Sequence, residues 1–211
     1  MTRSPVFPYK LYLVISESDC RGRNFLEVAE QAILGGVDII QLREKNDSTE
    51  TFIRKATLLK KLTEKYHVPL IINDNLEIAM KVDAFGIHVG NRDLAPSTIR
   101  KQWGSNKYIG YSVERIEQLS NEQIMHSDYL GISPIFRTPT KTDTITEWGL
   151  YGIRTIREIT DKPLVAIGNL NRYNVKDVIR AGADCIAVVS AICSATDPKN
   201  AAFELRKEIL K

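Results

Sequence analysis

GGVDIIQLREK, Gly35 to Lys45, is the stretch that decides the fold. Gly35-Gly36 is a helix stop, since glycine takes the left-handed conformation at a helix carboxyl end without a Cβ penalty. Val37, Ile39 and Ile40 then have the β-branched density of a buried strand, and Gln41, Arg43 and Lys45 recur with the period of two that places them on one strand face. A parallel strand is normally apolar on both faces, so two cations and an amide at its carboxyl end point either to an anionic ligand or to a strand running out into solvated loop. The same helix-to-strand phrase returns at Ala181-Gly182-Ala183-Asp184, ahead of a second apolar run.

Working outward from Gly35, strands are predicted at Leu11 to Ile15, Val37 to Arg43, Pro69 to Asn73, Phe85 to Val89, Tyr108 to Ser112, Tyr129 to Ile132, Pro163 to Ile167 and Cys185 to Ser190. Helices are predicted between and after them at Phe25 to Leu34, Thr51 to Tyr66, Leu76 to Val82, Pro96 to Trp103, Ile116 to Met125, Leu150 to Ile159, Val175 to Ala181 and Pro198 to Ile209. In the Thr51 to Tyr66 helix the charged face is assigned Arg54, Lys55, Lys60 and Lys61, read as solvated. A long polar loop runs from Ser133 to Trp148. The alternation predicts an α/β protein, a single small (β/α)8 TIM barrel spanning residues 1–211 as one domain. A doubly wound sheet would want a glycine-rich first turn, and Ser16 to Asp19 supplies none.

The totals exclude several classes of function. With 211 residues and a net charge of +3, without a basic block, nucleic acid is not expected as the main partner. No apolar signal core opens the chain and no run of about 18 apolar residues occurs, so a soluble, cytoplasmic protein with no membrane partner is expected. Cys20, Cys185 and Cys193 lack metal or redox spacing and are read as free thiols. Nothing in the composition fixes the oligomeric state, which leaves room for a homo-oligomer.

A barrel of this kind carries its site at the carboxyl ends of the strands. There stand Gln41, Arg43 and Lys45, then Asn73-Asp74, His88 with Asp93 just beyond, and Ser112. Asp74 and Asp93 could share one hard cation, Mg2+ being the natural candidate, or act as helix caps, since both precede short helices. His88, inside an apolar strand, is read as a hydrogen-bonded packing residue. Thr138-Pro139-Thr140-Lys141 offers hydroxyls and an ammonium suited to phosphate oxygens, or is simply a solvated loop. Gly168-Asn169 and Val189-Ser190 follow the last two strands, where barrels bind phosphate through backbone N–H groups. Two anion sites imply two phosphorylated substrates, and no Ser/His/Asp nucleophile set is evident.

Taken together, LYLV (11–14), QLREK (41–45), PLIIND (69–74), HVG with Asp93, PIF followed by TPTK (138–141), VAIG (165–168), AGAD (181–184) and AVVSAI (187–192) resemble the thiamine phosphate synthase family nearly end to end. The resemblance implies a transferase that joins a hydroxymethylpyrimidine diphosphate to a hydroxyethylthiazole phosphate, with Mg2+ and release of pyrophosphate. It assigns Gln41, Arg43, Lys45, Asn73, Ser112 and Lys141 to the pyrimidine diphosphate, with Arg43, Lys45, Ser112 and Lys141 as catalytic groups. Asp74 and Asp93 fall to the metal, and Thr138, Thr140, Asn169, Val189 and Ser190 to the thiazole phosphate. The chain departs from the family pattern at Asn169, where a second glycine is usual, at Ser133 and Arg137 around PIF, at Asn91 in place of glutamine, and at Val113-Glu114, where a histidine often follows the serine. Thiazole tautomerase relatives rely on a histidine in that region. A sugar-phosphate aldolase or isomerase using Lys45 or Lys141, and a non-catalytic phosphometabolite-binding barrel, are the remaining alternatives.

Overall fold

The structure, a computed structural model, describes residues 7–137 and 147–211. Eight parallel strands close on themselves in sequence order: β1 (Leu11–Ile15), β2 (Ile39–Leu42), β3 (Leu70–Asn73), β4 (Gly86–Val89), β5 (Tyr108–Val113), β6 (Tyr129–Ile132), β7 (Leu164–Ile167) and β8 (Cys185–Val188). The seam is made by β1 against β8, with Leu11 opposite Ile186 and Leu13 opposite Val188. The covering helices are α1 (Phe25–Leu34), α2 (Thr49–Lys65), α3 (Leu76–Lys81), α4 (Pro96–Trp103), α5 (Gln123–His126), α6 (Gly149–Ile159), α7 (Val175–Arg180), α8 (Ser190–Cys193) and α9 (Pro198–Ile209).

The predicted (β/α)8 barrel is therefore the observed fold, with local corrections. The predicted Ile116 to Met125 helix is a 3-10 turn, Ile116–Ser120, followed by the short α5. Strand β8 ends at Val188 rather than Ser190, because Ser190 opens the unforeseen α8. Strand β2 ends at Leu42, after which Arg43 still donates its N–H to Ile15 O at 2.9 Å. The Gly35-Gly36 phrase behaves as read: Gly36 has φ 107°, its N–H reaches Ile33 O, and Val37 N–H reaches Ala32 O. Gly182 repeats that double bond after α7, and His67 and Asp83 do so after α2 and α3 in left-handed conformations without glycine.

Side chains alternate between two cores. One lies between sheet and helices, with Leu11, Leu13, Ile40, Leu42 and Ile72 at its centre. The other fills the barrel and includes Tyr12, Val14, Ile39, Ile71, Tyr129, Val165 and Ala187. Two glycines make the second possible: a Cβ on Gly110 would lie 2.2 Å from Tyr129 Cζ and 2.4 Å from His88 Nδ1, and one on Gly131 would lie 2.8 Å from His88 Cε1. At the amino-terminal mouth the aromatic chain Phe7, Tyr9, Phe85 and Tyr108 closes the barrel. Among the described residues the other mouth stays open.

Candidate active site

A cavity of about 740 Å³ opens at the carboxyl ends of the strands. Its wall brings together Gln41, Arg43, Lys45, Asn73, Asp74, Asp93, Ser112, Asn169, Val189 and Ser190, which the sequence had distributed over the whole chain. Thr138, Thr140 and Lys141 lie outside the described residues. Arg21, Arg92 and Asn171 also line the wall, and the sequence reading missed them because each sits in a loop with no pattern to mark it.

Polar side chains from the barrel interior build the floor. Gln41 Nε2 donates to Tyr12 Oη at 2.9 Å, Tyr12 Oη is 3.0 Å from Tyr129 Oη, Tyr129 Oη is 3.2 Å from His88 Nδ1, and His88 Nε2 is 2.9 Å from Ser112 Oγ. Burial, the largest influence on each phenol, raises both tyrosine pKa values, so both phenols keep their single proton. One continuous hydrogen-bond chain therefore joins Gln41, Tyr12, Tyr129, His88 and Ser112, and its direction beyond Tyr12 follows the tautomer of His88. The histidine is thus the hydrogen-bonded interior residue expected, and it fixes the orientation of a site residue.

Asp74 and Asp93 are neighbours on the rim, and neither caps a helix. Asn75 caps α3 by accepting Ile78 N–H, and Ala95 precedes α4. Asp74 instead holds a left-handed φ of 61° with its N–H bonded to His88 O at 2.9 Å, while Asp93 Oδ2 accepts Gly90 N–H at 2.7 Å. Burial first, and then the Asp93 carboxyl beside it, raise the Asp74 pKa to about 6 against the pull of Lys45 and Asn73. Two crowded carboxylates fit a divalent cation that keeps waters and takes further ligands from a substrate diphosphate. Among the described residues no larger group of His, Cys, Asp or Glu gathers that could enclose a metal without such help.

Lys55 overturns its reading as a solvated lysine. It shares the inward stripe of α2 with Phe52, Ala56 and Leu59, its side chain is 5% exposed, and it meets Glu17 Oε2 at 2.7 Å, Glu44 Oε1 at 3.2 Å and Asp47 Oδ2 at 2.7 Å. Burial works to lower its pKa, but Asp47, Glu17 and Glu44 together outweigh it and raise the pKa, so the ammonium stays charged.

Across the cavity the loops after β7 and β8 line the wall with uncharged residues. Gly168 and Asn169 take φ of 120° and 52°, so Asn169 adopts the left-handed conformation that a glycine would hold more easily. A Cβ on Gly168 would lie 2.7 Å from Pro134 Cβ. Val189 and Ser190 lead into α8, whose first N–H groups have no intrahelical acceptor. The far end of α8 is tied down by Arg23, which donates to Ala195 O at 2.7 Å and also to Cys193 O.

A closed eightfold barrel whose open mouth pairs a cationic, carboxylate-bearing wall with an uncharged wall is the architecture of a barrel enzyme acting on phosphorylated substrates. The sequence model described as thiamine monophosphate synthase matches residues 11–192, and the chain belongs to that family. Thiamine-phosphate synthase of Albidiferax ferrireducens is 44% identical over 200 residues, covering 95% of this chain and 91% of its own. That of Shouchella clausii is 43% identical over 198 residues, covering 94% and 95%. Among solved structures, thiamine phosphate pyrophosphorylase from Pyrococcus furiosus superposes with a TM-score of 0.86 at 33% identity over 96% of each chain. A 3-hexulose-6-phosphate synthase, at TM-score 0.67 and 18% identity over 94% of this chain and 99% of its own, shares the fold. The chain is accordingly a transferase of the thiamine-phosphate synthase family.

Proposed function

We propose that the barrel, one domain over residues 1–211, condenses 4-amino-2-methyl-5-hydroxymethylpyrimidine diphosphate with 4-methyl-5-hydroxyethylthiazole phosphate by a dissociative substitution. The C–O bond to the diphosphate breaks first, and pyrophosphate leaves with the electron pair. The pyrimidine amino group donates electron density to the methylene cation, and the thiazole nitrogen lone pair then forms the new C–N bond. One observation carries this reading: Arg43 and Lys45 line the cavity that Asp74 and Asp93 also line, and neither cation is in an ion pair among the described residues.

Arg43 and Lys45 stabilise charge that accumulates on the leaving pyrophosphate, and the sequence adds Lys141 to that task. Gln41, Asn73 and Ser112 orient the pyrimidine diphosphate, with the Ser112 hydroxyl held by His88. Asp74 and Asp93 would hold magnesium, which when bound neutralises diphosphate oxygens. Asn169, Val189 and Ser190 face the thiazole phosphate, joined on sequence grounds by Thr138 and Thr140. Glu114, rather than a histidine, lines the wall beyond Ser112, which favours the synthase over a tautomerase. No helix among the described residues is long and apolar enough to cross a membrane, and the three cysteines are free and buried, which suits the cytoplasmic setting we assign.

The test is a two-substrate assay with magnesium, read by pyrophosphate release and product mass. Release that requires both substrates and the metal is expected. Binding of both without release would overturn the reading, and borohydride trapping of a carbonyl substrate would instead mark a lysine-imine enzyme.

A further inference from the structure

Arg43 and Lys45 flank Glu44, whose alternation with them turns it to the other side of the chain, and the structure gives it partners there. The Glu44 side chain is 6% exposed, and its Oε1 accepts Glu17 N–H at 2.8 Å and meets Lys55 Nζ at 3.2 Å. The same ammonium meets Glu17 and Asp47, each at 2.7 Å. Asp47 Oδ2 is buried, so the Lys55 ammonium at 2.7 Å is what compensates its charge. All these groups border a second cavity of about 520 Å³ that Arg43 and Lys45 border as well. Arg23 also borders it, but its guanidinium is committed to the carbonyls of Cys20, Cys193 and Ala195. Without Lys55, three carboxylates, two of them largely buried, would share that cavity with Arg43 and Lys45, the uncommitted cations that border it. An unpaired buried carboxylate is costly enough to reorganise its surroundings.

We propose that Lys55 is a positioning residue that keeps the diphosphate wall cationic by holding Glu44, Asp47 and Glu17 in a separate ion cluster behind it. The inference rests on the reading of Arg43 and Lys45 as the diphosphate site. It predicts that Lys55 matters to anion binding through the negative charge of Glu44, and not through a contact with the ligand.

The experiment measures binding of inorganic pyrophosphate with magnesium by calorimetry on the full chain, in parent, Lys55→Met, Glu44→Gln and the double variant, with KM for each substrate alongside. Lys55→Met should weaken pyrophosphate about tenfold and raise KM for the pyrimidine diphosphate, leaving KM for the thiazole phosphate within about twofold. Adding Glu44→Gln should restore pyrophosphate to within about threefold of parent, as should Glu44→Gln alone. A merely structural lysine would show no rescue and would move both KM values together, and either result overturns the proposal. If Lys55→Met does not fold, the double variant is compared with Glu44→Gln. Matching affinities support the role. A tenfold loss, or failure of the double variant alone to fold, removes it. Turnover by a parent whose pyrophosphate affinity survives Lys55→Met would sink the role of Lys55 alone, whereas a parent that releases no pyrophosphate would sink the synthase reading.

Discussion

The two ends of the barrel treat charge in opposite ways. At the amino-terminal end an aspartate precedes β2, β6 and β8, and each accepts an N–H from the start of the preceding odd-numbered strand while pairing with an arginine from a covering helix. Asp38 accepts Leu11 N–H at 3.0 Å and meets Arg206 at 2.6 Å; Asp128 accepts Ile109 N–H at 2.7 Å and meets Arg100 at 2.7 Å; Asp184 accepts Leu164 N–H at 2.8 Å and meets Arg157 at 2.5 Å. At the carboxyl-terminal end Arg43 and Lys45 lack an ion-pair partner among the described residues, and Asp74 and Asp93 crowd each other. Charges satisfied within the chain stabilise it, as does the Lys55 cluster behind the open end, whereas charges left open are available to a ligand, so on the function proposed above the same residue types serve the fold at one end and chemistry at the other.

Substitutions at the open end should therefore remove activity without removing stability. Asp74→Asn, which keeps a side chain that tolerates the left-handed φ of 61°, should lower kcat/KM for pyrophosphate release by about 10³-fold and shift the magnesium dependence, with a melting temperature equal to or above parent, because a like-charge contact is relieved. Arg43→Ala should cost about 10²-fold in kcat/KM, the size expected for losing one donor to a developing anion. A melting temperature that fell with activity in either variant would show that this end is structural too.

The closed end should give the reverse result. Asp128→Ala leaves the Ile109 N–H and Arg100 without their partner and should cost about 2 kcal/mol. For a chain of this length that lowers the melting temperature by about 4–8 °C. Turnover at 25 °C should stay within about twofold of parent, and a larger loss would mean that the two ends are coupled.

A pH series sharpens the same contrast. The Asp74 pKa is raised to about 6, so below that pH the folded state holds a proton there that a magnesium ion bound as proposed would have to displace. Stabilisation by magnesium should be present above about pH 6 and lost as pH falls through that value, read as the metal-induced shift in melting temperature at pH 7.5 and at pH 5. An equal shift at both values would place the metal away from Asp74.

Legibility in the sequence followed the same division. The strand–helix alternation and the Gly36 and Gly182 stops were readable because period and left-handed glycine are local properties. Gln41, Arg43, Asn73-Asp74 and Ser112 were readable because each breaks the apolar pattern at a strand end. Lys55 was misread although its position is visible in hindsight: it lies three residues after Phe52 and four before Leu59, on the apolar stripe, and only the convergence of Glu17, Glu44 and Asp47 explains a cation there. The interior chain from Gln41 to Ser112 was hidden for a related reason, since its contacts join residues as far as 117 apart in sequence. Loop residues such as Arg21 and Arg92 carry no period at all.

Asn169 tests the uncharged wall with the smallest expected effect. Its φ of 52° is one that asparagine tolerates and glycine adopts without a Cβ penalty, and its side chain is exposed on the cavity wall. If that wall binds phosphate through N–H groups, Asn169→Gly keeps the donor and removes only the side chain. The KM for thiazole phosphate should then fall about two- to threefold while the KM for the pyrimidine diphosphate and the affinity for pyrophosphate stay unchanged. A rise in the thiazole phosphate KM would assign the asparagine amide itself to the ligand, and the wall would then recognise its anion through a side chain, as proposed for the opposite wall.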